Sequence, residues 1–254
     1  MDVYCFDFDG VICDSAPETA LAAWNACAAL WPADGAPLPE ALQQRFCRLR
    51  PVLHTGYEAV ALMRLIKDGE VDDEAVLSDF AALRDAFIER EGLTPHRLKQ
   101  LFGDARDKLI EQDRSAWLCW NRFYPGIGDV LSEALRNHEV FIVTTKQERF
   151  VALLLEHNRI KLSMERVFGL EQNKTKPEIL SELMERPESA RAALHFIEDR
   201  MGTLRQVAAT PELEPVRLYL VDWGYNTAAQ REEARASDRI TVVSMEDLLG
   251  MQGI

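Results

Sequence analysis

The 254-residue sequence predicts an α/β fold, a parallel sheet interrupted after its first strand by an all-helical segment. Three observations lead there. Short apolar runs recur at residues 3–6, 140–143, 194–197, 218–221 and 240–243, and runs of that length bounded by turn residues fit strands buried on both faces. Segments with helical apolar spacing separate the later runs, and strands alternating with helices imply a parallel sheet covered on both sides. From residue 16 to residue 120 no strand pattern emerges, so helices alone part the first run from the rest.

Each element has a local reason. Val3-Tyr4-Cys5-Phe6 is rich in strand-favouring residues and ends in Asp7-Phe8-Asp9-Gly10, a strand running into a loop. Ser15-Ala16-Pro17-Glu18 has the form of a capping box with proline in the first turn, which starts a helix. Helical spacing then covers 16–31, 37–48, 56–67, 73–90, 95–102 and 104–120, with breaks at Pro32, Pro51, Gly69, Gly92 and Gly103. The texture changes at Phe123-Tyr124-Pro125-Gly126, after which helices at 127–137, 146–158, 177–185 and 227–236 alternate with the strands. The expected division is a core of residues 1–15 and 124–254 around a helical insertion of residues 16–123. The two crossings, near 14–16 and 121–125, suit a hinge.

Composition narrows the partners. Acidic side chains number 42 against 29 basic ones, a formal charge of −13. Nucleic acid and anionic membranes demand concentrated positive charge, so neither is an expected partner. No run approaches the roughly 18 apolar residues of a membrane span, and the opening residues lack the basic and apolar regions of a signal peptide. Cysteines at 5, 13, 27, 47 and 119 form no CxxC pair and no disulfide framework, which points to a reducing cytoplasm.

Ligands of open parallel sheets collect at the carboxyl ends of the strands. The apolar runs are followed there by Asp7 and Asp9, by Thr144 and Thr145, by Glu198 and Asp199, and by Asp222. Asp7 and Asp9, two apart in an extended segment, would point to one side. Carboxylates held together resist ionising jointly unless a cation lies between them or one is protonated. The oxygen-only set Asp7, Asp9 and Asp199 suits Mg²⁺.

These residues carry a family resemblance. Asp7-Phe8-Asp9-Gly10-Val11 resembles the first signature of the haloacid dehalogenase superfamily of hydrolases. Phe141-Ile142-Val143-Thr144-Thr145-Lys146 is similar to the second, Lys176-Pro177 to the third and Phe196-Ile197-Glu198-Asp199 to the fourth. Val221-Asp222-Trp223-Gly224-Tyr225 also resembles a strand and turn found late in phosphoglycolate-phosphatase-like members. The resemblance implies a Rossmann-like core with a helical cap inserted after the first signature.

The implied chemistry is Mg²⁺-dependent hydrolysis of a small phosphorylated molecule. Asp7 would be the nucleophile that forms an aspartyl-phosphate, and Asp9 would protonate the leaving oxygen and later take a proton from water. Thr144 would donate its hydroxyl to a phosphate oxygen, with Gly10 and Thr145 beside it. Thr145-Lys146-Gln147-Glu148 has capping-box form, which would set a helix N-terminus next to the anion. Lys176 would supply fixed positive charge; Lys174 competes, but the Lys-Pro pair matches the family pattern. Asp7, Asp9, Asp199 and Glu198 are the candidate metal ligands.

The fourth signature departs from the resemblance, because Asp199-Arg200-Met201-Gly202-Thr203-Leu204 lacks the second acid that many members place four or five residues on. Asp199 is the preferred ligand of the Glu198-Asp199 pair, and Arg200 is expected in a structural ion pair. The presence of Asp9 favours phosphoryl transfer over attack on carbon, which has no leaving oxygen to protonate. A phosphonate hydrolase would need a cap lysine, and nothing singles out Lys67. A sugar phosphomutase using the same intermediate, or a catalytically weak phosphate-binding or regulatory protein, remain alternatives.

In the insertion, the polar stretch from Arg48 to Glu58 either contacts the substrate, through Arg50 and Tyr57, or simply joins two helices. His195 is expected as a core residue with a satisfied hydrogen bond. Trp24, Trp31, Trp117 and Trp120 are expected to pack, and Asp222 to form a turn.

Overall fold

The structure is a computed structural model that describes residues 1–31, 36–186 and 192–253. The chain divides into two compact units, residues 1–14 with 122–254 and residues 15–121. It opens with β1 (Val3–Phe6) and the two-residue β2 (Cys13–Asp14). The helical unit follows, with α1 (Ala16–Leu30), α2 (Glu40–Leu49), α3 (Glu58–Asp68), α4 (Asp73–Arg90), α5 (Pro95–Gln112) and α6 (Arg114–Cys119). The chain then continues through β3 (Arg122–Phe123), α7 (Ile127–Asn137), β4 (Glu139–Val143), α8 (Glu148–His157) and β5 (Val167–Phe168). It ends with α9 (Lys176–Met184), β6 (Leu194–Glu198), α10 (Met201–Ala208), β7 (Arg217–Val221), α11 (Ala228–Arg235), β8 (Ile240–Val243) and α12 (Met245–Gly253).

The main sheet has the order β5-β4-β1-β6-β7-β8, and every pairing in it is parallel. The fold is therefore the expected Rossmann-like α/β core. β1 shows why its sequence reads as an unbroken apolar run. Val3 and Cys5 face a cluster with Phe141, Phe196, Leu180 and Leu204, while Tyr4 and Phe6 are equally buried on the other face. The two-residue β2 and β3 pair antiparallel, Cys13 with Phe123 and Asp14 with Arg122. Neither they nor β5 is long enough to leave a period in sequence.

One helix boundary and one cap in the second unit differ from the sequence reading. No break occurs at Gly103, where α5 runs through to Gln112; a lone glycine costs about 1 kcal/mol relative to alanine and need not end a helix. The chain breaks instead at Asp113, whose side chain accepts the Ala116 N–H and caps α6. The Ser15–Glu18 capping box does not form either. Glu18 is fully buried and accepts from Arg106 Nε at 2.8 Å, Arg106 Nη2 at 2.6 Å and Trp117 Nε1 at 2.9 Å. An internal guanidinium outcompetes a backbone N–H for this carboxylate. The break assigned to Pro32 lies outside the described residues.

The core of the helical unit gathers Trp24, Phe46, Leu62, Phe80, Phe87 and Phe102. Trp31 lies tilted against Phe87, whereas Trp120 is exposed rather than packed. All five cysteines are free thiols. No described helix is long and apolar enough to cross a membrane.

Candidate active site

Strand order places Asp7, the residue that follows β1, at the centre of the sheet. Phe6 is in register with Ile142 of β4 and Ile197 of β6, so Asp7 leaves the sheet between its two neighbours, its N–H donating to Ile197 O at 2.9 Å. The chain builds outward from β1 in both directions, and the crevice at such a switch point is where open α/β sheets hold ligands.

Lys176 stands in the first turn of α9, fixed by a formed capping box between Thr175 and Glu178 with Pro177 beside it. Its Nζ lies 2.9 Å from Asp7 Oδ1 and 2.7 Å from Glu198 Oε2. Lys174 is exposed and pairs with Glu182. The other oxygen of Glu198 accepts the N–H groups of Asp199 and Arg200, so both of its oxygens are engaged.

Asp7, Glu198 and Asp199 are buried, and one oxygen from each lies within 4.8 Å of the others. Burial pushes the Asp7 carboxyl up to about 7, even with the opposing pull of Lys176. Burial raises Glu198 and Asp199 as well. It would lower the Lys176 ammonium, but Asp7 and Glu198 hold that group above its usual range. Three carboxylates thus face one bonded ammonium, a deficit that a divalent cation would balance. The donor set fits such an ion: it is all oxygen, and buried Asp199 Oδ1 has no hydrogen-bond partner among the described residues.

Asp9 is outside that group. Its Oδ1 lies 2.9 Å from Lys146 Nζ, while its charge still acts on Asp7, so of the two aspartates only Asp7 belongs to the buried acidic group. The chain is no longer extended there, since Phe8 O accepts the N–H groups of both Ile12 and Cys13. Lys146 is buried, and its partner is 137 residues away, a distance at which no local sequence pattern signals pairing.

Thr144 is buried, and its hydroxyl oxygen accepts the Lys146 N–H at 3.1 Å. Thr145 is exposed. The capping box expected from Thr145 to Glu148 is absent: α8 begins at Glu148 without a side-chain cap. The Glu148 carboxylate instead accepts from Gly169 N–H and Gln172 Nε2, tying the helix start to the segment after β5.

Gly10 has a φ of 92°, and its N–H is taken by Cys13 O, not left for a ligand. A Cβ there would overlap Asp199 Oδ2, so glycine at this position permits a close approach of loop and acid. Asp222 is exposed, and the turn after it makes a contact that no local sequence pattern signals: Tyr225 N–H donates to Asp199 Oδ2 at 2.7 Å. Arg50 and Tyr57 belong to the other unit, where Arg50 Nη1 donates to Leu53 O and Tyr57 packs on the helical core. Arg200 contributes positive charge near Asp199. His195 is buried between Tyr219 Oη at 3.0 Å and Asp2 Oδ2 at 3.3 Å.

Known structures share this architecture. A protein provisionally named a phosphoglycolate phosphatase, from Lactobacillus delbrueckii subsp. bulgaricus, superposes with a TM-score of 0.62 at 15% identity, covering 98% of this chain and 96% of its own. A predicted phosphatase from Clostridium acetobutylicum gives 0.59 at 16% identity over 98% and 97%. A Thermotoga maritima protein provisionally named a beta-phosphoglucomutase gives 0.53 at 17% identity over 99% and 98%. At such identities the likeness is one of fold. No protein of curated function matches the chain. The family model for haloacid dehalogenase-like hydrolases matches residues 1–202, a span that contains the first-strand aspartate, the threonine strand end, the Lys-Pro helix start and the Glu198-Asp199 pair. The chain is therefore a member of the haloacid dehalogenase-like hydrolases.

Proposed function

We propose that this hydrolase is a Mg²⁺-dependent phosphatase of a small phosphate monoester, working through an aspartyl-phosphate on Asp7. The observation that carries the reading is the buried Asp7 carboxylate, 2.9 Å from Lys176 Nζ and grouped with Asp199. A nucleophile of this kind must approach an anion, and a fixed ammonium at its side lowers that repulsion.

Asp7 and Asp199 would hold Mg²⁺, with Glu198 anchoring Lys176 rather than giving an oxygen to the metal. When bound, the ion offsets the negative charge of carboxylate and phosphate together. Asp7 attacks phosphorus, the phosphorus–oxygen ester bond breaks, and Asp9 delivers a proton to the departing alkoxide. Water then attacks the aspartyl-phosphate, Asp9 takes its proton, and inorganic phosphate leaves with Asp7 regenerated. Lys146 holds the Asp9 side chain at the site between turnovers. The Thr144 hydroxyl accepts from Lys146 N–H and keeps its own proton for a phosphate oxygen. Residues 15–121 would act as the cap, with Arg50 and Tyr57 as candidates for contacting the rest of the substrate. A cytoplasmic setting accords with five free thiols.

The test is a phosphoester panel with Mg²⁺ on the full chain, wild type beside Asp7→Asn. Turnover is expected in the first and absent in the second, with the folded structure retained by circular dichroism. Wild-type turnover by Asp7→Asn would mean another nucleophile. The fold likeness to a protein named for phosphomutase activity favours one second reading, return of the phosphoryl group to a sugar. Release of inorganic phosphate without an isomerised product dismisses it.

A further inference from the structure

The turn that follows β7 folds back over Asp199. Asn226 N–H donates to Gly224 O at 2.9 Å, curling the chain so that Tyr225 N–H meets Asp199 Oδ2 at 2.7 Å. The approach is tight. A Cβ on Gly224 would overlap Asp199 Cβ and lie 2.6 Å from Gly10 O, so Asp199 is enclosed by backbone from two loops.

Asn226 holds that turn in place. Its buried amide nitrogen donates to Asp199 O at 3.0 Å and to Val221 O at 2.9 Å, joining the ends of β6 and β7. Two carbonyl acceptors fix which end of the amide is nitrogen. The amide oxygen is held in turn by Arg231 Nη1 at 2.8 Å, and the same nitrogen reaches Asn226 O at 3.2 Å. At the far end, Tyr225 Oη donates to Asp14 Oδ1 at 2.9 Å. One oxygen of Asp199 is thereby fixed by a backbone N–H while the other, Oδ1, lacks a hydrogen-bond partner among the described residues.

We propose that Asn226, oriented by Arg231, is a positioning residue that sets Asp199 Oδ1 for a divalent cation. This rests on the reading of Asp199 as a metal ligand given above. Partners behind a metal ligand typically contribute 10- to 100-fold to affinity, because they fix its orientation before the metal arrives. Loss of the Asn226 amide strands two buried carbonyls and releases the Tyr225 N–H from Asp199.

The experiment is calorimetric titration of Mg²⁺ alone into the metal-stripped full chain, with melting temperature measured on the same samples. Asn226→Ala and Asn226→Asp should each raise the dissociation constant by about 10- to 100-fold. The aspartate variant is isosteric but sets a carboxylate against two carbonyls. Arg231→Gln lies at a half-exposed position and keeps the turn itself; it should raise the constant by a smaller factor at near-native melting temperature. Glu233→Gln, whose native partner is the exposed Arg205, should leave it unchanged. At saturating Mg²⁺ the Asn226 variants should recover turnover of p-nitrophenyl phosphate with its KM unaltered. Wild-type Mg²⁺ affinity in Asn226→Ala overturns the proposal, as does a fall in melting temperature without a change in affinity. Should the Asn226 variants fail to fold, Arg231→Gln decides, an unchanged constant counting against. Asp199→Asn separates the two levels: if it binds Mg²⁺ like wild type, the reading of Asp199 as a ligand falls and the positioning role with it.

Discussion

Lys176→Met should expose the electrostatics of the site before any substrate is added. The substitution keeps the aliphatic stem and removes an ammonium bonded to Asp7 Oδ1 at 2.9 Å and Glu198 Oε2 at 2.7 Å. Asp7 is 5% exposed and Glu198 fully buried, so water replaces little of what is lost. Breaking a buried ion pair costs about 3–5 kcal/mol because a charge is left uncompensated. For a protein of this size that corresponds to a fall of roughly 10 °C in melting temperature. The loss should depend on pH. Without the ammonium, the two acids bind protons more readily in the folded state than in the unfolded one, where their ordinary values are 3.8 and 4.5. Stability then falls as pH rises, and the deficit relative to wild type should be larger at pH 8 than at pH 5. The assay is urea denaturation of metal-stripped protein at both pH values. Lys174→Met is the internal comparison, since Lys174 is exposed and its pair with Glu182 is worth about 0–1 kcal/mol. Equal losses for the two variants, or a deficit that grows on acidification, would refute the reasoning.

Two further outcomes follow from other buried polar groups, Glu18 and His195. Glu18→Gln should destabilise by about 3 kcal/mol or more, because it leaves the Arg106 guanidinium without its buried carboxylate; tryptophan emission should report it through Trp117, whose Nε1 donates to Glu18, and a shift under about 0.5 kcal/mol, the scale of a neutral surface change, would contradict it. Burial holds the His195 imidazole below its ordinary value of 6.5. Its contribution is complete above that value and is lost as pH falls toward the folded value, because the unfolded chain takes the proton first. His195→Asn should therefore show a smaller deficit against wild type at pH 5 than at pH 8 in denaturant titrations, and a constant deficit would argue that the ring titrates alike in both states.

The sequence by itself determined the sheet and the places where its chemistry could sit. An apolar run such as Val3–Phe6 records burial on both faces locally, and the switch to Asp7, Thr144 or Glu198-Asp199 at its end records the edge of the core. Helix starts were legible where the signal stayed local, as at Thr175-Lys176-Pro177-Glu178, and misread where a side chain was drawn elsewhere. Glu18 and Glu148 both occupy the right position for a capping box, yet one serves Arg106, 88 residues away, and the other Gly169. Only the tertiary structure decided the partners: Lys146 for Asp9, Glu198 for Lys176, and the Asn226 turn for Asp199. Periodicity and capping depend on neighbours within a few residues, so sequence displays them directly. Charge pairing and the aim of a carboxylate depend on which distant backbone the fold brings alongside, and no residue carries that in its own spacing.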